Sequence, residues 1–209
     1  MATTLVANGA VYDDFRPLSV GTALSGRVSD SGHTWVQHLR TWAVQDTPDP
    51  AGHGEGLRAG ATGLQYAQLG IDFGSSDVEI EAFMHRPDAS SNAGSLMLRR
   101  DGVGMYTLNV AATSMSLRTF VHATEAITVL DTASVSALNK SVIKIVASGS
   151  TIDCYLDDVL EISVVDSTYG GTTHGLFQHF SSATSSWGFY AFNMHPGGAE
   201  GWTVGSIRF

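Results

Sequence analysis

Three acidic residues on one predicted strand are the best candidates for catalysis in this sequence. The segment Asp77–Met84 alternates strictly, so Asp77, Glu79 and Glu81 share one face. Residues i and i+2 of a strand have Cα atoms roughly 6.6 Å apart, which suits the ~5 to 5.5 Å carboxyl separation of a retaining glycosidase. Glu79 and Glu81 are therefore read either as an acid–base and nucleophile pair or as acidic residues on the solvated side of a strand.

Aromatic residues form the second set of candidates. Trp35 and Trp42 flank a stretch with imperfect alternation, and they are read either as core-lining residues or as platforms on which sugar rings stack. Trp187, Tyr190 and His195 lie in or next to a strand predicted at 188–194, which carries aromatic residues on both of its faces. Such a strand is either buried between two layers or part of a surface that meets a ligand or another protein.

The elements that must position these residues are predicted to be antiparallel strands. From Val142 to Phe180 four apolar runs of about six residues are separated by turns rich in Gly, Ser or Asp, which predicts a β-meander. Asp157 and Asp158 stand where a two-residue hairpin turn requires positive φ. A first strand is predicted at Val11–Phe15, paired with a closing strand at Trp202–Phe209. Residues 1–10 are predicted to be an N-terminal arm and 11–209 a single domain.

Composition excludes several classes of protein. The 209 residues include 23 glycines and only 15% charged residues, a profile typical of an all-β protein with many turns. A net charge of −9, with no basic cluster beyond Arg99-Arg100, argues against nucleic-acid partners. No stretch approaches the ~20 apolar residues of a membrane span, and the N-terminus lacks the features of a signal peptide. The lone Cys154 is predicted to be a buried hydrophobic residue rather than half of a disulfide.

Two groups of motifs resemble one known family. Near the N-terminus they are Asp13-Asp14-Phe15-Arg16, Ser31-Gly32-His33-Thr34-Trp35 and Trp42-Ala43-Val44; near the C-terminus they are Val159-Leu160, Asp166-Ser167-Thr168-Tyr169 and Gly175-Leu176. Together they resemble concanavalin A-like (laminin G-like) jelly-roll domains of bacteriophage virion proteins. The turn in that family is usually Asp-Gly, so Asp158 departs from its pattern.

The resemblance implies a two-sheet antiparallel β-sandwich in a minor tail or capsid decoration protein. That protein would be non-enzymatic and would have a lectin-like, glycan-binding surface. It would occupy the phage particle after synthesis in the bacterial cytoplasm, and would be homo-oligomeric or multivalent there. Its partners would be other virion proteins or a host surface glycan. Glucanases with this sandwich place their carboxylates as Glu-x-Asp-x-x-Glu, which the order Asp77, Glu79, Glu81 does not match.

Metal binding is the remaining chemical question. None of the eight histidines stands in a metal-binding spacing, so we predict no cofactor. Related lectin-like domains sometimes hold Ca²⁺, and the carboxylate-rich turn of Asp153, Asp157 and Asp158 is the alternative that this resemblance suggests.

Overall fold

The chain folds into β-strands that form two antiparallel sheets. The structure is a computed structural model that describes residues 11–13, 15, 21–39, 42–45, 56–59, 65–85, 94–136, 140–180 and 188–197. The strands within these residues are β1 (Val11–Asp13), β2 (Val36–Leu39), β3 (Trp42–Gln45), β4 (Gly56–Ala59), β5 (Gln65–Asp72), β6 (Val78–His85), β7 (Gly94–Arg100), β8 (Gly104–Val110), β9 (Ser114–Val121), β10 (Ala126–Ser134), β11 (Lys140–Ser148), β12 (Thr151–Leu156), β13 (Val159–Val165), β14 (Thr173–Phe180) and β15 (Gly188–Pro196). Among these residues there is no helix long and apolar enough to cross a membrane.

The two sheets face each other across one apolar core. The eight-stranded sheet runs β13-β12-β11-β6-β15-β4-β3, with β1 also paired to β15, and the seven-stranded sheet runs β10-β9-β8-β7-β14-β5-β2. Alternate residues of each strand point into the core: Ile80 of β6 and Leu108 of β8 are both fully buried there. The predicted all-β sandwich is confirmed.

The predicted meander is correct for three of its four strands. β11, β12 and β13 pair in sequence, whereas β14 crosses over and pairs with β5 and β7 in the other sheet. At the β12–β13 turn, Asp157 and Asp158 have φ values of 49° and 66°, as the two-residue turn requires. Alternation in the sequence predicts Leu160, Ile162 and Val164 on the buried face of β13. The prediction is wrong for Leu160, which is exposed, because the register of the β12–β13 pair shifts between Cys154 and Tyr155.

The first strand lies beside the last strand that the structure describes. Val11 of β1 pairs with Met194 of β15. The partner predicted for β1, at 202–209, lies outside the described residues, as does the predicted arm at 1–10. Cys154 is fully buried, as predicted, and burial raises the pKa of its thiol.

A buried histidine and arginine connect the two sheets. His174 of β14 accepts a hydrogen bond from the Arg99 N–H at Nδ1 (3.0 Å) and donates from Nε2 to the Ser75 carbonyl (2.8 Å). The Arg99 side chain donates in turn to the Asp77 carboxylate and to the Gly149 carbonyl in the eight-stranded sheet's turns. Since both His174 nitrogens are used, the ring is held as the neutral Nε2–H tautomer.

Candidate functional site

The N-terminal motifs that carry the family resemblance meet around one buried carboxylate. Asp13 is fully buried and accepts hydrogen bonds from the Trp35 indole (2.7 Å), the Arg27 guanidinium and the Phe15 N–H (3.0 Å). Burial raises the pKa of Asp13, and the bonds from Arg27 and Trp35 partly offset that rise. This network fixes the chain ahead of β2, so these motif residues have a structural role.

The same network settles the role of the two N-terminal tryptophans. Trp35 and Trp42 are fully buried, with Trp35 packed on Phe192 (ring centroids 5.1 Å apart) and Trp42 near Phe189 (6.5 Å). The core-lining interpretation is therefore confirmed. The alternative of sugar-stacking platforms was wrong, because neither ring is accessible to a ligand.

The C-terminal motif is also structural. The Tyr106 hydroxyl donates to the Asp166 carboxylate and accepts a hydrogen bond from the Tyr169 N–H (3.1 Å), and the two tyrosine rings meet edge to face. Asp166 also accepts from the Thr168 N–H (2.8 Å). These contacts hold the crossover that leads from β13 to β14 and so place β14 in the seven-stranded sheet.

The outer face of the seven-stranded sheet is concave. Tyr66 on β5 and Phe120 on β9 have ring centroids only 4.9 Å apart, although β14, β7 and β8 lie between their strands. In a flat sheet four strand steps would separate them by about 19 Å, which two leaning rings cannot bridge. Phe177 on β14 completes the cluster, 5.7 Å from Tyr66 and 5.4 Å from Phe120. The sheet must therefore curl toward this side.

Polar side chains share the concave face with the aromatic cluster. Gln68 of β5 accepts a hydrogen bond at Oε1 from Arg100 Nε (2.9 Å), and Arg118 Nε of β9 donates to the Ser116 hydroxyl (2.7 Å). The aromatic rings rest on two buried methionines, Met97 and Met105. Further polar residues of these strands on this face are Ser95, Thr107 and Asn109, all buried.

Two histidines lie near Arg100 on this face. Its positive charge contributes to lowering the pKa of both His38 and His122, although burial is the larger cause for each. The pKa of His38 falls to about 4, and its buried Nε2 has no hydrogen-bond partner. His122 lies 5.8 Å from Phe120, ring centre to ring centre. We call this set of residues, Tyr66, Gln68, Arg100, Arg118, Phe120, His122, Phe177 and His38, the concave site.

The predicted carboxylate pair lies on the outer face of the other sheet. Glu79 is opposite His195 of β15, and Glu81 is opposite Lys144 of β11. Burial raises the pKa of Glu81, with a smaller contribution from Glu79, while the nearby Lys144 lowers it. Burial also lowers the pKa of His195, whose buried Nε2 has no hydrogen-bond partner. The predicted residues Glu79, Glu81 and His195 thus come together, but on the face remote from the concave site.

The three aspartates suggested for Ca²⁺ bind different partners. Asp153 accepts a hydrogen bond from the Ser163 hydroxyl (2.6 Å), Asp157 from the Val142 N–H (2.8 Å), and Asp158 from the Lys144 ammonium (3.0 Å). The described residues contain no group of three metal-binding side chains, so the structure does not gather these three around one point.

Two residues of the predicted ligand surface, Trp187 and Tyr190, have side chains outside the described part of the structure. Trp187 lies outside the described residues, and of Tyr190 only the backbone, in β15, is described. The concave site was not predicted from the sequence. A signal for it exists in β9, where Phe120 falls on the same side as Ser116 and Arg118, because a large aromatic residue on a polar strand face indicates a covered or ligand-binding surface.

Comparison with known proteins identifies the fold. No family model and no curated protein sequence matches the chain. Among solved structures, it is similar to the carbohydrate-binding module CBM66 from Bacillus subtilis (23% identity, TM-score 0.51, 78% of this chain and 92% of that chain). It is also similar to the Ca²⁺/Man3GlcNAc-bound exoplasmic/lumenal domain of VIP36 (10%, 0.50, 74% and 83%) and to apo Crh5 transglycosylase (12%, 0.56, 91% and 85%). The chain has a concanavalin A-like, lectin-like β-sandwich fold.

Proposed function

We propose that this protein is a non-enzymatic, glycan-binding component of a tailed-phage virion, a minor tail or capsid decoration protein. The observation that carries the glycan-binding part is the concave site, where aromatic rings and partly buried polar side chains share one curved surface. The proposed placement in a phage particle is supported by the N-terminal and C-terminal motifs that resemble phage virion domains. Two of the structural neighbours are named for carbohydrate binding or contain a bound glycan.

The concave site has the chemical groups that sugar recognition requires. The C–H faces of a pyranose ring pack on aromatic side chains, and Tyr66 is the partly buried member of the aromatic cluster. Sugar hydroxyls both donate and accept, so they pair with guanidinium and imidazole groups such as those of Arg118 and His122, which are partly buried. Each contact is modest, and repetition of the site around a particle would raise the avidity.

Glycan binding can be tested with a matched pair of tyrosine variants. Tyr66→Ala removes the partly buried tyrosine ring of the concave site, whereas Tyr155→Ala removes a partly buried tyrosine from the outer face of the eight-stranded sheet. The intact chain is screened on an array of bacterial surface polysaccharides, and the best ligand is titrated against both variants. We expect Tyr66→Ala to lose binding and Tyr155→Ala to keep it.

Hydrogen–deuterium exchange of the unmodified chain provides a second test, which does not depend on how Tyr66→Ala folds. Glycan should slow exchange in β5 and β9 and leave β12 unchanged. Equal losses in both tyrosine variants, or slowed exchange confined to β12, would overturn the assignment of the concave site.

The place in the particle requires a separate experiment. Cryo-electron microscopy of purified particles should show this protein either at the tail or in regular copies on the capsid. On the capsid, we propose that the predicted arm at 1–10 contacts neighbouring virion proteins; the 188–194 strand is not a docking surface, because Phe189 and Phe192 are fully buried in the core. Absence of the protein from the particle would refute this part of the proposal and leave the glycan site standing.

A glycoside hydrolase is the second candidate function. The observation in its favour is that Glu81, whose pKa is raised by burial, lies two residues from Glu79 on one strand face, as a general acid beside a second carboxylate would. Release of reducing sugar from a polysaccharide bound by the chain, abolished by Glu79→Gln with the fold intact, would establish that activity. A polysaccharide that is bound but left uncleaved would favour the non-enzymatic proposal.

A further inference from the structure

The charge on the concave site is opposite in sign to the charge of the chain as a whole. The protein has 20 acidic and only 11 basic residues, yet Arg100 and Arg118 both lie on this face together with His38 and His122. Among the described residues neither arginine has a carboxylate within ion-pair distance, whereas Arg27 and Arg99 are both paired. Two unpaired cations on one curved face thus form a local positive field within an acidic protein.

The two guanidinium groups also keep their terminal donors available. Within the described part of the chain, Arg100 and Arg118 use only Nε in hydrogen bonds, to Gln68 and to Ser116. Those bonds orient each planar guanidinium group and leave its Nη donors available. The Nη donors can bind a carboxylate or sulfate through two parallel hydrogen bonds. Burial lowers the pKa of both arginines, which remain charged, and a partly desolvated cation gains more from an anionic partner than one in bulk water.

Asp101, the acidic residue whose charge acts on Arg100, already accepts hydrogen bonds from its own turn. Asp101 follows β7 and accepts hydrogen bonds at Oδ1 from the N–H groups of Val103 (2.7 Å) and Gly104 (2.9 Å) in the β7–β8 turn. Its charge acts on Arg100 and His122, but its position is set by the turn. It therefore does not substitute for an anion on the aromatic side of the site.

We propose that the ligand of the concave site is an acidic glycan, whose sugar ring packs on Tyr66 while its carboxylate or sulfate is held by Arg118 and Arg100. This inference rests on the proposed glycan-binding function and specifies its ligand class. His38, whose buried Nε2 has no hydrogen-bond partner, lies near Arg100 on the same face. Positive charge beside an aromatic surface distinguishes an acidic sugar from a neutral one, for which the arginines would give no charge-assisted bond.

The decisive probes are polygalacturonate and its methyl-esterified form, which share the sugar ring and differ in charge. Binding of the full chain to both polymers is measured by calorimetry at low salt. Since a charge-assisted hydrogen bond contributes more than a neutral one, esterification should weaken binding by roughly tenfold or more. Added NaCl at ~0.5 M should weaken the charged polymer's binding and leave the ester's unchanged.

Variants assign the effect to the proposed residues. Arg118→Gln should lose roughly tenfold in affinity for polygalacturonate. Lys144→Gln removes a partly buried cation from the outer face of the other sheet and serves as the matched control, with unchanged binding expected. If Arg118→Gln fails to fold, Arg100→Gln takes its place.

The outcomes separate this inference from the function on which it rests. Equal binding of the acid and ester polymers, or of Arg118→Gln and the parent chain, would overturn the acidic ligand class and leave a neutral-glycan site. Failure of every glycan, charged or neutral, to bind would overturn the proposed function as well.

Discussion

Acid should weaken this fold through His174. The ring is fully buried and its Nδ1 already accepts the Arg99 N–H, so protonation there both charges a buried group and breaks a hydrogen bond. Burial accordingly lowers the pKa of His174 from its ordinary 6.5 to about 4. A lowered folded-state pKa means that the unfolded chain binds more protons between these values, so the free energy of unfolding decreases as the pH falls from about 6.5 to 4.

The size of the effect follows from the two pKa values. About one pH unit above the ordinary pKa of 6.5, both states are neutral at His174 and its contribution to stability is complete. At pH 5.0 the unfolded chain is mostly protonated there and the folded chain is not, which costs about 2 kcal/mol of stability relative to pH 7.5. The pKa of His38 is also lowered to about 4, but this residue is only half-buried, so solvent screening makes its contribution smaller than that of His174.

The assay is urea unfolding at pH 7.5 and pH 5.0, followed by tryptophan fluorescence, for the parent chain and for His174→Gln. The variant loses stability at pH 7.5, because the buried hydrogen bonds change, but it should lose about 2 kcal/mol less than the parent on moving to pH 5.0. His38→Gln should change in the same direction by a smaller amount. Asp13 and Glu81, whose raised pKa values act in the opposite direction, are common to every variant and cancel in the comparison.

Equal pH dependence in the parent and in His174→Gln would refute this reasoning. It would mean that the folded protein accepts the proton at His174 without cost, and hence that the Arg99–His174–Ser75 connection is not maintained in solution. A reduction seen in His38→Gln alone would assign the acid sensitivity to the concave site instead.

Three further predictions concern stability and charge. Asp13→Ala should cost about 3–5 kcal/mol in urea unfolding, since it leaves the buried Arg27 contact without its carboxylate. Gly171→Ala should cost about 1–3 kcal/mol, because its Cβ would lie 2.0 Å from a backbone oxygen, whereas Gly102→Ala meets nothing within 4 Å and should stay within about 0.5 kcal/mol of the parent. Unfolding free energies of Asp13→Ala or Gly171→Ala within about 0.5 kcal/mol of the parent would contradict these two predictions. Lys144→Met should raise the pKa of Glu81 further in an NMR titration, because it removes the charge that lowers it. An unchanged Glu81 titration would contradict that prediction.

Local rules predicted most of the strands. Alternation predicts that every second residue of Val78–Ala82 and of Ile152–Leu156, starting from the first, is buried, and the structure confirms this. Period-two patterning and one-sided burial are properties of the strand itself. The turn at Asp157 and Asp158 was predictable for the same reason, since its φ requirement is local. Local patterning could not show that β14 leaves the meander, because the choice of sheet depends on contacts such as Tyr106 with Tyr169, which lie 63 residues apart.

The assembly of the concave site could not be predicted from local sequence patterns for a related reason. Tyr66, Phe120 and Phe177 belong to three strands that are not adjacent in the chain, and only the curvature of the sheet brings their rings together. Sheet curvature is a collective property of twist and packing, and no short sequence motif predicts it. Tryptophan residues in a sequence suggest a sugar-stacking surface, but the Trp35 indole instead donates a hydrogen bond to the buried Asp13.

The residues of the family motifs and the residues of the concave site are different residues, which explains why the family resemblance predicts the fold better than the function. The residues that carry it, around Asp13 and Trp35 at one end and Asp166 and Tyr169 at the other, form hydrogen bonds that fix the chain ahead of β2 and the crossover before β14. The concave site is built from residues outside those motifs, on strands whose pairing does not depend on the outward-facing side chains. Substitutions on that face can therefore change the proposed ligand while the motifs stay the same, and the charge of that face, rather than motif similarity, is the basis of the proposed ligand class.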